Sequence, residues 1–133
     1  MKYLLDTNVC IQILKGISLN VKLKIKDIPN DQIVIPSIVR FELFYGARKS
    51  NNPVKSLALI KEFFNSFLSL SIDDNVAEIC GEIRADLEKS GTPIGPYDLL
   101  IAATAISKNL ILVTNNTKEF IRVKNIQLED WQK

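Results

Sequence analysis

Histidine is absent from the 133-residue chain, and that absence alone removes a large share of enzyme chemistry. It excludes a Ser-His-Asp or Cys-His triad, a histidine-bearing zinc site and imidazole as general base. Cysteine is scarce too. Cys10 and Cys80 lie far apart and fall on apolar helical patterns, which predicts buried, reduced thiols rather than a structural zinc or a disulfide. No window reaches the ~18 apolar residues of a membrane span, and Asp6 interrupts the N-terminal apolar stretch too early for a signal peptide. The expected location is therefore cytoplasmic. There is no GxxxxGK phosphate loop, no internal repeat, no low-complexity tract and no linker, so residues 1–133 read as a single domain. The formal charge of +2 is only a mild lean toward polyanions.

What the chain does have is carboxylates in apolar company. Asp6 ends Tyr3-Leu4-Leu5, Glu42 lies among Phe41, Leu43, Phe44 and Tyr45, and Asp98 precedes Leu99-Leu100-Ile101-Ala102-Ala103. An unpaired ionised carboxylate is rarely buried, because desolvation costs many kcal/mol. Each acid has a bland alternative. Asp6 can cap a helix, Asp98 gains ~0.3–1 kcal/mol from a helix dipole, Glu42 can pair with Arg40 or Lys49, and Glu119 can be a surface acid. If the acids converge, a divalent cation is the natural thing to hold them together. All-oxygen donors select a hard ion, magnesium with manganese as substitute.

Strands alternate with helices along the chain. Residues 2–6 read as a buried strand, with Thr7 or Asn8 capping a helix that runs to Lys15 before Gly16. Residues 17–28 alternate apolar side chains with lysines, which is strand periodicity, although Val21, Ile25 and Ile28 also fit a helix face. A strand is expected over Asp31–Pro36, then a helix capped by Ser37 through Arg48. Asn52 caps a further helix with Pro53 in first position and Leu57, Ile60, Phe64, Phe67 and Leu68 on one face. A short strand over Leu70–Ile72 precedes a helix from Asp74 to Lys89 closed by Gly91. The last elements expected are a core helix over Leu99–Ile106, a buried strand at Leu110–Val113 and an edge strand at Ile126–Leu128. This order implies an α/β fold with a short, mostly parallel central sheet flanked by helices on both faces. Ligands bind such sheets at the carboxyl ends of the strands, where Asp6 and Thr114-Asn115-Asn116 fall.

Four blocks in order, Leu4-Leu5-Asp6-Thr7-Asn8, Glu42-Leu43-x-x-Gly46, Asp98-x-x-Ile101-Ala102 and Leu112-Val113-Thr114-Asn115-Asn116-Thr117-x-Glu119-Phe120, resemble the PIN-domain ribonucleases. Within them the chain is similar to VapC-type toxins of toxin–antitoxin modules, over its whole length to Leu128-Glu129-Asp130-Trp131. The resemblance implies a PIN-like fold and a helix over residues 17–28. It implies catalytic roles for Asp6, Glu42, Asp98 and Glu119, with Asp6 and Asp98 as direct metal ligands. Where the family commonly has a fourth acid this chain has Asn116, and Glu119 one turn on takes its place. Thr7, Asn8, Thr114 and Asn116 would orient ligands or water.

The implied function is Mg²⁺-dependent endoribonuclease, with structured RNA, the initiator tRNA in particular, cut by attack of water. No 2′-hydroxyl is needed for that chemistry, so RNA preference would come from shape and basic contacts, with Lys22, Lys24, Lys26, Arg48 and Lys49 as candidates. The implied partners are a VapB-type antitoxin, a second copy in a homodimer, a higher assembly with antitoxin, and DNA only through the antitoxin. Phe41, Phe44, Tyr45, Phe63, Phe64 and Phe67 are candidates for those surfaces, with core packing expected for at least half. Two rivals are weaker. A haloacid-dehalogenase-type phosphatase needs a second aspartate where this chain has Asn8. A PIN scaffold that binds RNA or protein without catalysis is favoured only by Asn116.

Overall fold

The computed structural model describes residues 1–133. Along the chain run β1 (Tyr3–Leu5), α1 (Thr7–Lys15), α2 (Leu19–Asp27), β2 (Ile33–Val34), α3 (Ser37–Arg48), α4 (Pro53–Asn65), α5 (Asp74–Lys89), α6 (Pro96–Ser107), β3 (Ile111–Val113), α7 (Thr117–Phe120) and β4 (Gln127–Glu129). The strands form one sheet of order β2-β1-β3-β4 in which every pairing is parallel. Successive strand residues point to opposite faces. Leu4, Leu5, Val34, Leu112 and Val113 are all fully buried, so both faces are covered, as a parallel sheet requires. The α/β expectation holds. α6 is the innermost helix, with Leu99, Ile101, Ala102, Ala103, Thr104 and Ala105 buried.

Several local expectations are corrected. Residues 19–27 are helical, against the strand periodicity and as the family resemblance implies: Ser18 Oγ accepts the Val21 amide, and only Val21 is buried. The alternation misleads because Leu19 and Leu23 face solvent, 68 % and 53 % exposed. Asp6, not Thr7 or Asn8, caps α1. α3 starts at Ser37 with Pro36 in the cap position and no side-chain cap. Residues 30–32 form a 3₁₀ turn, leaving only Ile33 and Val34 as strand. Phe67 and Leu68 lie beyond the end of α4. No strand forms over 70–72; that stretch reaches the sheet only through the Leu68 bridge to Val34 and the Ser37 amide on the Leu70 carbonyl at 2.8 Å. The Asn52 cap, the Pro53 start, α5 and its Gly91 closure at φ +70°, and β3 fall where expected. Cys10 is buried and reduced, while Cys80 is reduced but only half-buried.

The strand order places the site. From β1 the chain moves outward to β2 on one side, then returns to β3 and β4 on the other. The switch between β1 and β3 opens a crevice at their carboxyl ends. Asp6 and Thr114 are the residues that follow those two strands.

Candidate active site

Asp6 is fixed from two sides. Its amide donates to the Val113 carbonyl at 3.1 Å, continuing the β1–β3 ladder. Its Oδ1 accepts the Val9 amide at 2.9 Å, so the same carboxylate starts α1, a cap that stabilises by about 1 kcal/mol. The residue is only 5 % exposed. Burial raises its pKa, the Glu42 charge adds to the rise, and the Thr114 hydroxyl and the Val9 and Asn8 amides oppose it. Both alternatives for Asp6 hold at once: it caps the helix and faces other acids.

Glu42 reaches the same crevice from α3. Its Oε1 accepts the Thr7 hydroxyl at 2.9 Å. It pairs with neither Arg40 nor Lys49. Arg40 instead donates to the carbonyls of Ile35, Phe67 and Leu68 and lies over the Phe64 ring, while Lys49 lies over Tyr45.

Asp98 sits in the first turn of α6, half-buried. Its pKa is raised to about 7, first by burial, then by the neighbouring Glu119 carboxyl through hydrogen bonding and charge repulsion, then by the charges of Glu42 and Asp6. Glu119 arrives on α7, a helix anchored by the buried Phe120. Its Oε2 accepts Asn116 Nδ2 at 3.0 Å, and the Asn116 amide in turn donates to Thr114 Oγ1 at 2.9 Å. The Asn116 side-chain amide thus holds the Glu119 carboxylate, which faces Asp98. Asn8 is exposed and gives Asp6 its backbone amide.

No cation acts on Asp6 or Asp98. The ion pairs of the molecule, Arg84–Glu88 and Lys108–Asp73, are elsewhere. As the side chains lie, no three acids or thiols close into a metal-holding group. The donor set still fits a hard divalent ion. Every donor is oxygen, the charges repel one another, and magnesium takes only one or two carboxylates directly while keeping several waters.

Two surfaces flank Glu42 on α3. On one side a groove of about 310 Å³ is lined by Ile11, Leu14, Leu43, Ala47 and Ile60, with Glu42 in its wall. On the other, Phe41 meets Tyr97 edge to face at 5.4 Å. Phe64 is buried, and Phe44, Phe63 and Phe67 pack against the core, so core packing claims most of the expected aromatic surface. Phe41 and Tyr45 stay exposed. Sequence reasoning passes over Tyr97; the available signal is a large aromatic between Pro96 and Asp98, at the mouth of an otherwise buried helix.

Residues 3–126 match the PIN domain family. The chain is 40 % identical to the tRNA(fMet)-specific endonuclease VapC of Salmonella typhimurium, over 98 % of both chains. The solved structure of DNA-bound VapBC from Salmonella typhimurium superposes with a TM-score of 0.93 at 40 % identity, covering 98 % of each chain. VapBC2 from Rickettsia felis, bound to a DNA fragment from the promoter, gives 0.92 at 36 % identity, covering 98 % of this chain and 99 % of that one.

Proposed function

The chain belongs to the PIN-domain family, and from that premise we propose that it is the VapC-type toxin of a toxin–antitoxin module, a metal-dependent endoribonuclease that cuts structured RNA. PIN-domain nucleases are generally dependent on a divalent metal; Mg²⁺ is the ion we assign, with Mn²⁺ able to replace it. The observation that carries the reading is the convergence of Asp6, Glu42, Asp98 and Glu119 on one crevice, with Asp98 raised to about 7 by burial and by the other acids. The 40 % identity to a tRNA(fMet)-specific endonuclease makes initiator tRNA the first substrate to test.

Asp6 and Asp98 would hold the ion, which lowers the pKa of water and offsets charge on the phosphate. Glu42, oriented by the Thr7 hydroxyl, positions water on one side of the scissile phosphate. Glu119, held by Asn116, does so on the other. Glu119, beside Asp98, is the carboxylate we assign to accept the proton of the attacking water. The water oxygen bonds to phosphorus as one ester P–O bond breaks, and the departing sugar oxygen takes up a proton from solvent. No side chain forms a covalent intermediate.

The proposed inhibitor is a VapB-type antitoxin seated in the groove between α1, α3 and α4, whose wall includes Glu42. A homodimer, a higher assembly with antitoxin, and contact with DNA only through that antitoxin complete the proposal, supported by VapBC structures bound to DNA. No helix is long and apolar enough to cross a membrane, and cytoplasmic action follows from the substrate.

The test is cleavage of total tRNA by antitoxin-free protein, in Mg²⁺ or EDTA, beside Asp6→Asn. Discrete fragments that require metal and vanish in the variant are expected. Intact tRNA from folded wild type in Mg²⁺ and Mn²⁺ would favour the non-catalytic scaffold.

A further inference from the structure

Most aromatic side chains of this molecule have interior partners. Phe44 and Phe64 meet edge to face at 5.2 Å, Phe63 and Phe67 do the same, and Tyr3 packs on the buried Trp131. Phe41, Tyr45 and Tyr97 are different. They are 46 %, 58 % and 46 % exposed, and they stand on α3 and α6, the helices that carry Glu42 and Asp98. Phe41 immediately precedes Glu42 and Tyr97 immediately precedes Asp98, so the 5.4 Å contact of the two rings bridges α3 to α6 beside the acids.

The helix geometry extends this pair into a stripe. At 3.6 residues per turn, Phe41, Tyr45 and Lys49 follow one another along one face, with Arg48 beside them and about 6 Å of rise between successive members. Phe41 and Tyr45 point about 100° and about 60° round α3 from Glu42, on the opposite side from the apolar groove, and Lys49 comes within about 20° of the Glu42 direction two turns further on. Glu42 therefore stands on a ridge between two surfaces of unlike chemistry. The groove presents Ile11, Leu14 and Ile60. The stripe presents aromatic rings and ends in two exposed cations, with Lys49 Nζ 5.1 Å above the Tyr45 ring.

We infer that Phe41, Tyr45 and Tyr97 are a base-stacking platform that receives unpaired nucleobases of the RNA next to the scissile phosphate, while Arg48 and Lys49 meet the neighbouring phosphates. The occupant is set by what surrounds the rings. A phosphate in the crevice brings its flanking bases to the rim, every base offers a π-face to an aromatic, and positive charge at the far end matches a polyanion. Recognition of unpaired bases by stacking is how proteins read the single-stranded parts of a folded RNA. The inference rests on the nuclease reading and specifies which part of the RNA the site engages.

The experiment has two arms. In the first, an RNA hairpin with 2-aminopurine in its loop is titrated with Asp6→Asn protein in Mg²⁺. Stacking quenches the fluorophore, Phe41→Leu with Tyr97→Leu abolishes the quench, and Phe41→Tyr with Tyr97→Phe restores it. In the second, the leucine pair in the wild-type background raises KM for RNA cleavage roughly five- to a hundredfold and leaves kcat within about twofold. Tyr45→Leu gives a smaller rise. Sedimentation velocity of each variant accompanies both arms.

An unchanged quench and unchanged KM in the leucine variants would overturn the platform. So would a change of oligomeric state or a loss of antitoxin binding, which would assign the face to a protein contact. If wild type cleaves no RNA, the nuclease reading fails, but the quench still decides whether the rings stack bases.

Discussion

Asp73 and Asp98 stand at the starts of α5 and α6, two helices packed against each other, yet they end in opposite electrostatic states. Asp73 accepts the Val76 amide at 2.9 Å and Lys108 Nζ at 3.0 Å, and these donors hold its carboxyl below the ordinary value. Asp98 has the same favourable helix terminus, but burial, Glu119, Glu42 and Asp6 drive it up to about 7. A helix start contributes only a fraction of a kcal/mol, too little to oppose three neighbouring carboxylates. Asp73 is satisfied by the protein itself. Asp98 has no cation among its neighbours, and an acid cluster at a sheet switch point is where the proposed metal ion would sit.

Replacing each aspartate by asparagine breaks the comparison most sharply. Asp98→Asn removes a proposed metal ligand whose contribution would be several kcal/mol of charge stabilisation, so kcat for RNA cleavage is expected to fall by about a thousandfold. The metal-free protein becomes more stable, because one repelling charge is gone. Asp73→Asn leaves kcat unchanged within about twofold and lowers the melting temperature. Single-turnover cleavage and melting of both variants in EDTA check the pair. Equal loss of activity in the two would sink the distinction.

Much of this difference is legible in the amino-acid order. Asp98 precedes an almost wholly apolar run and Asp6 ends another, so the neighbours of each acid already declare a buried charge. Glu42 stands out in the same way among Phe41, Leu43, Phe44 and Tyr45, and the motif order then supplies Glu119. The roles of supporting side chains are not legible, because they depend on three-dimensional reach. Thr7 has the chemistry of a cap for α1, yet Asp6 makes that cap and frees the Thr7 hydroxyl for Glu42. Arg40 stands two residues from Glu42, but residues so spaced do not face each other on a helix, and the guanidinium turns to the carbonyls behind Ile35. Residues 17–28 have the period of a strand because Leu19, Val21, Leu23 and Ile25 alternate with polar positions. That period marks a strand only if the apolar set is buried. Leu19 and Leu23 are solvated, and the Ser18 cap starts a helix instead. A strand over Leu70–Ile72 fails for a related reason: one bridge at Leu68 is too little pairing to continue a ladder.

A finer test acts on the coupling itself. Glu119→Gln removes the largest charged contributor to the Asp98 shift while keeping the Asn116 contact possible. The Asp98 carboxyl of the metal-free protein then titrates lower than in wild type, read by carbon-detected NMR. The same proton competes with Mg²⁺ for Asp98. The half-saturating Mg²⁺ concentration of wild type therefore rises as pH falls through about 7, and this dependence is weaker in Glu119→Gln. An unaltered Asp98 titration would show that Glu119 does not contribute to the shift.

The smallest effect, and the one that separates the two aspartates by sign, is the pH dependence of stability without metal. Between the ordinary aspartate value of 3.8 and about 7, the folded protein keeps a proton on Asp98 that the unfolded chain has released. The native state then binds more protons, so stability falls as pH rises across that window. Asp73 works in the other direction. Its folded pKa is depressed below 3.8, so its contribution is present above that value and is lost as pH falls through the folded pKa. In EDTA the melting temperature should therefore be highest in mildly acidic buffer and decline toward neutrality. Asp98→Asn flattens the decline toward neutrality, Asp73→Asn flattens the loss in acid, and Mg²⁺ reverses the first slope by favouring the ionised carboxylates. A melting temperature that rises from about pH 5 to 7 in EDTA would mean that the acids of the crevice are compensated within the protein, as Asp73 is, and that the site makes no demand for a cation.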